Sequence, residues 1–158
     1  MLCLSFLLTA CSGEEEGLSP AAEYAGVSFT ASQSASGTDA TGGVEGLVDK
    51  GKVAVYVWQG STPSEENKAA YSNLYTFHVE NNSCKLDSVS GSMKLPVGDG
   101  YYFYALSSND PDLAAPVMAT GNRTATLRNG VDYLMATSSS VNVSGTTAVS
   151  VPLSFRHI

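Results

Sequence analysis

The chain has 158 residues and a formal net charge of −7, which gives room for one domain with a real core and argues against a nucleic-acid partner, which requires a basic stripe. Eight Tyr, five Phe and one Trp accompany many Val and Thr, while Lys, Arg and Met are few. That balance favours strands over helices.

Residues 1–10 open with an apolar run, Leu2 to Ala10, broken only by Ser5 and Thr9. It is too short to span a bilayer, which takes about 20 residues, and it fits the apolar region of a secretory signal peptide. The run ends Leu8-Thr9-Ala10-Cys11. This tetrad resembles the bacterial lipobox, in which small residues precede the cut and the Cys thiol carries the diacylglyceryl group. Cys11 is therefore the expected lipidation site and first mature residue. A multi-chain lipid anchor holds firmly, because each buried CH₂ contributes about 0.8 kcal/mol. The run begins Met1-Leu2-Cys3 without a Lys or Arg, so further residues are expected upstream. Residues 11–23 read as a tether. Within them Glu14, Glu15 and Glu16 resemble the acidic surface-export signal of lipoproteins in one phylum of Gram-negative anaerobes; the plainer reading is a solvated, self-repelling linker.

Residues 24–158 read as strands. Val27 to Ala31 alternates, and Ala31 to Gly46 is a low-complexity linker or loop. Lys52 to Trp58 (KVAVYVW) is apolar on both faces, as in a central strand. Ser64 to Ala70 carries a helical-turn signal, with Ser64 as cap and Glu65 and Glu66 in the first turn. Leu74 to Val79 places Tyr75, Phe77 and Val79 on one side, and Met93, Leu95 and Val97 form another set. Tyr101 to Leu106 (YYFYAL) is aromatic on both faces. Ala125 with Leu127, Val131 to Ala136, and Val141 with Val143 follow. In the closing strand Val149, Val151, Leu153 and Phe155 should face the core, and Pro152, which lacks an N–H, places the strand at an edge or bulge. Turn signals separate these pieces, among them Asn81-Asn82, Gly98-Asp99-Gly100, Asn109-Asp110-Pro111 and Asn129-Gly130. The expected class is all-β, a sandwich or barrel.

Residues that carry chemistry are few. His78 sits on the polar face of its strand, and no His–Cys cluster has metal-ligand spacing. Cys3 leaves with the signal and Cys11 carries lipid, so Cys84 has no disulfide partner. Cys84 is expected to be a small buried thiol, with a Cys84–His78 pair across the turn as the sharper alternative. The tyrosines from Tyr101 to Tyr104 suit a core more than a sugar-stacking platform. No catalytic set, cofactor or metal site is expected. Asp87-Ser88-Val89 resembles a three-residue O-glycosylation site of exported proteins in the same bacteria, with Ser88 as acceptor.

Five pieces in order resemble the N-terminal domain of fimbrillin-like lipoproteins: the lipobox at Cys11, KVAVYVW, LPVGDGYYFYALSS (Leu95 to Ser108), GVDYLMATSS (Gly130 to Ser139) and VPLSFRH (Val151 to His157). The last two contain the family's D-x-L-x-A and L-x-F-x-H patterns, as Asp132, Leu134 and Ala136, then Leu153, Phe155 and His157. The resemblance implies a transthyretin-like Greek-key β-sandwich of about seven or more antiparallel strands, and a structural or accessory role in fimbriae and cell adhesion. It implies an outer membrane location through the lipid anchor, with other fimbrial subunits as partners. Full subunits carry a second sandwich after the L-x-F-x-H strand, whereas this chain ends at Ile158, so a fragment or truncated gene is expected. Shaft subunits of the family lose their first strand to an Arg-specific protease. Here the first Arg after Cys11 is Arg123, so the strand and its lipid should be retained. The rival reading is a surface glycan-binding lipoprotein of a polysaccharide-uptake system, which needs Trp58 or the tyrosine cluster exposed in a shallow groove.

Overall fold

Period-two alternation builds strands from one end of the domain to the other. The computed structural model describes residues 21–34, 44–64, 66–119, 123–124 and 126–158, and no helix occurs among them. The strands are β1 (Tyr24–Gln33), β2 (Lys52–Gln59), β3 (Tyr71–Glu80), β4 (Ser83–Ser88), β5 (Met93–Pro96), β6 (Gly98–Ser107), β7 (Met118–Ala119), β8 (Arg123–Thr124), β9 (Leu134–Thr137), β10 (Val141–Val143) and β11 (Val149–His157). The expected lipidation site Cys11 and the glutamates Glu14, Glu15 and Glu16 lie outside the described residues, as does most of the low-complexity stretch.

The domain is all-β. Strands β6, β2, β3, β4, β1, β11 and β9 pair in that order, and β9 returns to β6, closing the sheet into a seven-stranded barrel. Closure removes most free sheet edges. β10 continues along β6 beyond β9, β5 continues along β1 beyond β4, and β7 pairs β8 separately. One pairing departs from the expected antiparallel pattern. β1 and β11 run parallel, in register from Val27↔Val149 to Gln33↔Phe155. A parallel pair needs a long connection between its strands, and the rest of the domain is that connection.

The inward residues make one core. Phe29 meets Tyr75 and Phe103 edge-on, both at ring-centroid distances of 5.3 Å, and Phe77 meets Phe155 at 5.1 Å. Val151, Leu153 and Phe155 of β11 are buried with Val53, Val55 and Val57 of β2, while Val149 is half-buried. Ser150, Pro152, Ser154 and Arg156 face out. Only β1 flanks Pro152, because β9 joins β11 at Arg156 and His157; the missing N–H therefore falls on an edge segment.

The two-faced apolar strands β2 and β6 have a cover on their outer side. By alternation Ala54, Trp58 and Leu106 point away from the barrel core, yet all three are buried. Residues 110–119 fold back over this face: the Met118 N–H donates to Tyr56 Oη at 2.9 Å, and Ala115 and Pro116 are buried. Trp58 Nε1–H donates to the Asn67 carbonyl at 3.3 Å, so the chain around Ser61 to Asn67 closes over the indole.

That same segment corrects the expected helical turn. Ser64 and residues 66–70 form no helix. The Asn67 side chain takes the local backbone partners instead, with Oδ1 accepting from Ser64 N–H at 2.7 Å and Nδ2 donating to the Thr62 carbonyl at 2.8 Å. Asn competes in this way with helical hydrogen bonding. Asn81 and Asn82, at φ of 49° and 59°, form the two-residue turn joining β3 to β4, as a twisted hairpin favours. The strand expected over Val131 to Ala136 starts only at Leu134, because Asp132 and Tyr133 turn their side chains to other partners.

Candidate functional site

The polar residues that sequence patterns single out separate into three places. The densest is one end of the barrel, where β1 ends at Gln33, β11 ends at His157, the chain enters β9 past Asp132, and β6 gives way to Asn109. His157 Nδ1 lies 2.5 Å from Asp132 Oδ1, and His157 Nε2 lies 2.7 Å from Gln33 Nε2. With Nδ1–H donated to the carboxylate, Nε2 is an acceptor and the Gln33 amide donates to it. Asn109 Nδ2 donates to Asp132 Oδ2 at 2.7 Å and to the Gly46 carbonyl at 2.8 Å, and Asn109 Oδ1 accepts from Val48 N–H at 2.9 Å. The Asn109 N–H donates to Ser107 Oγ, which donates to the Lys52 carbonyl, both at 2.8 Å. Gly51 lies against this node; a Cβ there would stand 2.9 Å from the Val48 carbonyl oxygen and 3.1 Å from both the Asn109 backbone and Phe77.

A carboxylate–imidazole pair orients a base when the far nitrogen faces a nucleophile. Here the far nitrogen is occupied by Gln33, so the arrangement fastens strand ends to one another. Asp132 and His157 open and close the two sequence patterns, and nothing in the sequence signals their contact across 25 residues. Asn109 carried only a turn signal, and Gln33 carried none.

His78 stands on the outer face, half-exposed, with Nδ1 3.3 Å from Asp87 and Nε2 3.5 Å from Glu80. Cys84 pairs with Val79 in the register and faces the core. The thiol and the imidazole therefore occupy opposite faces, and the alternative of a Cys84–His78 pair fails. Burial, the largest influence, pushes the Cys84 thiol up to about 11; a backbone hydrogen bond at His78 opposes this, and the Asp49 and Asp87 carboxylates add to it. Alkylation of native Cys84 by iodoacetamide at pH 8 should be slower than that of a free thiol by about two orders of magnitude, since the thiolate is the nucleophile. Peptide mapping after unfolding in urea should show the full rate; equal rates in both states would contradict the buried placement.

Ser88 ends β4, half-buried, with its hydroxyl donating to the Gly91 carbonyl and accepting from Asn73 Nδ2 at 3.5 Å. Tyr101 and Phe103 are buried and Tyr102 and Tyr104 are half-buried, so half of the cluster is core. Among the described residues no group of three or more His, Cys, Asp or Glu side chains could hold a metal ion, and no helix is long and apolar enough to cross a membrane. Comparison with protein-family models, curated proteins and solved structures finds no match to the chain.

Proposed function

We propose that the chain is a lipid-anchored cell-surface protein of the fimbrillin-like kind, a structural or accessory component of fimbriae in cell adhesion. One observation carries the reading. The two patterns that support the resemblance form a single unit: Asp132 and His157 are hydrogen-bonded at 2.5 Å, Leu134 pairs with His157 in the β9–β11 register, and Leu134, Ala136, Leu153 and Phe155 are all buried. This interlocking supports the resemblance. The finer fold assignment, a transthyretin-like Greek-key sandwich, belongs to the same proposal; the β1–β4 seam, a single pair at Thr30↔Lys85, is where such a sheet would divide into two layers.

In this reading Cys11 carries palmitate-containing lipid at the outer membrane, and Glu14, Glu15 and Glu16 direct surface exposure. β1 stays in place, because it is held on one side by β11 over seven register pairs and on the other by β4 and β5. The protein then serves as an anchor, cap or accessory adhesin contacting other fimbrial subunits. Ser88 remains the proposed O-glycosylation acceptor, on condition that its hydroxyl leaves the Gly91 carbonyl. The rival glycan-binding reading would rest on Tyr102 and Tyr104, which are half-buried, since Trp58 is 1% exposed.

The test recovers the protein from outer membranes of cells grown with an alkyne-tagged palmitate. Wild type should be labelled, Cys11→Ala should not, and the mature chain should still contain β1. A chain beginning after Lys50 or Lys52, found in high-molecular-weight ladders, would restore a shaft role. A second experiment replaces Glu14, Glu15 and Glu16 with Ala. Label should persist while protease shaving of whole cells no longer cuts the protein, and unchanged shaving would reduce the run to a tether.

A further inference from the structure

Among the described residues the cover over β2 and β6 is incomplete. At its margin Leu74, Val89 and Val117 are 53, 58 and 64% exposed, and contiguous exposed apolar patches, unlike scattered single residues, mark interaction sites. With Ala114 and Ala115 they line a groove of about 330 Å³. A second depression of about 210 Å³ shares Leu74 and continues past Ala54 and Tyr56. The groove has one charged lining residue, Lys52, which is half-buried. Its ammonium makes no hydrogen bond or ion pair with any described residue. The carboxylate of Asp110, next to it through the backbone, is already accepting from the amides of Asp112 and Leu113 at 2.7 and 3.3 Å.

We propose that this groove binds a small amphipathic carboxylate, with an alkyl or acyl chain lying along the aliphatic walls and the carboxylate on Lys52 Nζ. The charge decides the head group: a lysine on the lining of an apolar depression, with no ion-pair partner among the described residues, is complementary to an anion. The walls decide the body, since apart from Tyr75 and Lys52 they are aliphatic. The floor excludes recognition of a peptide main chain, because β2 is paired on both sides by β3 and β6, and β3 by β2 and β4; no strand edge is free there for β-augmentation. The volume is at the low end of small-molecule sites, which suits one medium-length chain rather than a two-chain lipid.

Calorimetric titration of the purified full chain with dodecanoate, below its micelle concentration, tests this. Dodecanoate should bind saturably with one site. Lys52→Gln should weaken it about five- to tenfold, as expected for loss of one partly screened ion pair. Dodecanol should bind wild type and Lys52→Gln equally and more weakly than dodecanoate binds wild type. Leu74→Glu, at an exposed position that folding does not need, should remove both. Circular dichroism confirms that both variants are folded. The proposal is overturned by absence of saturable dodecanoate binding, by equal affinity for acid and alcohol, or by an unaffected Lys52→Gln variant. Binding of a peptide ending in Leu-Leu carboxylate without binding of dodecanoate would also overturn it, in favour of a protein terminus.

Discussion

Replacing Phe155 with Ala is expected to destabilise the domain by about 3–5 kcal/mol. The ring is fully buried near the end of the last strand and meets Phe77 edge-on at 5.1 Å with an interplanar angle of 82°. Truncation removes the transfer term, opens a cavity and loses an aromatic pair contributing about 0.5–1.5 kcal/mol beyond its area. The melting temperature should fall by roughly 10–20 °C for a domain of this size. Arg156→Ala, one residue further on and facing solvent, should stay within about 0.5 kcal/mol of wild type. Urea titration of the two variants measures both; a loss under about 1 kcal/mol for Phe155→Ala would place that side chain outside the core.

The second large effect is expected at Asn109. Its side chain satisfies Val48 N–H, the Gly46 carbonyl and Asp132 at once, and its backbone sits at φ 50°. Asn109→Ala leaves buried polar groups without partners at about 1–3 kcal/mol and loses the short polar side chain that lets Asn tolerate a left-handed conformation, at about 1 kcal/mol more. A total loss of about 2–4 kcal/mol follows. Asn109→Gly separates the two contributions, since glycine adopts positive φ freely; it should recover about 1 kcal/mol relative to Ala and no more. Equal stability of Asn109→Gly and wild type would show that the three side-chain hydrogen bonds contribute nothing. In either variant Asp132 and His157 keep each other but lose their tie to the β2 end of the barrel.

These two positions differ in how visible they are before folding. Phe155 lies in strict alternation with Val151 and Leu153, and the period alone assigns it inward. Asn109 sits in an Asn-Asp-Pro sequence that signals only a turn; its partners are 61 and 63 residues earlier and 23 later, and no local pattern encodes them. The same contrast runs through the fold. KVAVYVW is legible as a strand with two apolar faces, but the segment 110–119 that covers its outer face has no period of its own and could not be assigned to it. The end-to-end pairing of β1 with β11 was equally hidden, because register across the whole domain depends on closure of the barrel. The expected turn of helix at Ser64 failed for a local reason, since a cap signal is also what an Asn-stabilised loop presents. At the barrel end, Asp132 and His157 were visible as pattern residues, while the contact between them, 25 residues apart, was not.

The parallel pairing of β1 with β11 also constrains how the protein is made. Its seven register pairs join the first strand to the last, the greatest sequence separation the domain offers. Contacts so remote in sequence slow folding, because the entropy of closing the loop is lost before the contact forms. A chain emerging stepwise from a ribosome has Phe29 and Ala31 of this domain available early and Val151 and Leu153 late. Until β11 has appeared, one flank of β1 has no partner, and the nascent chain stays open. The barrel of such a domain can close only once β11 has been made. Release of the last strand, rather than formation of the first hairpin, is then the event that commits the molecule to its final shape.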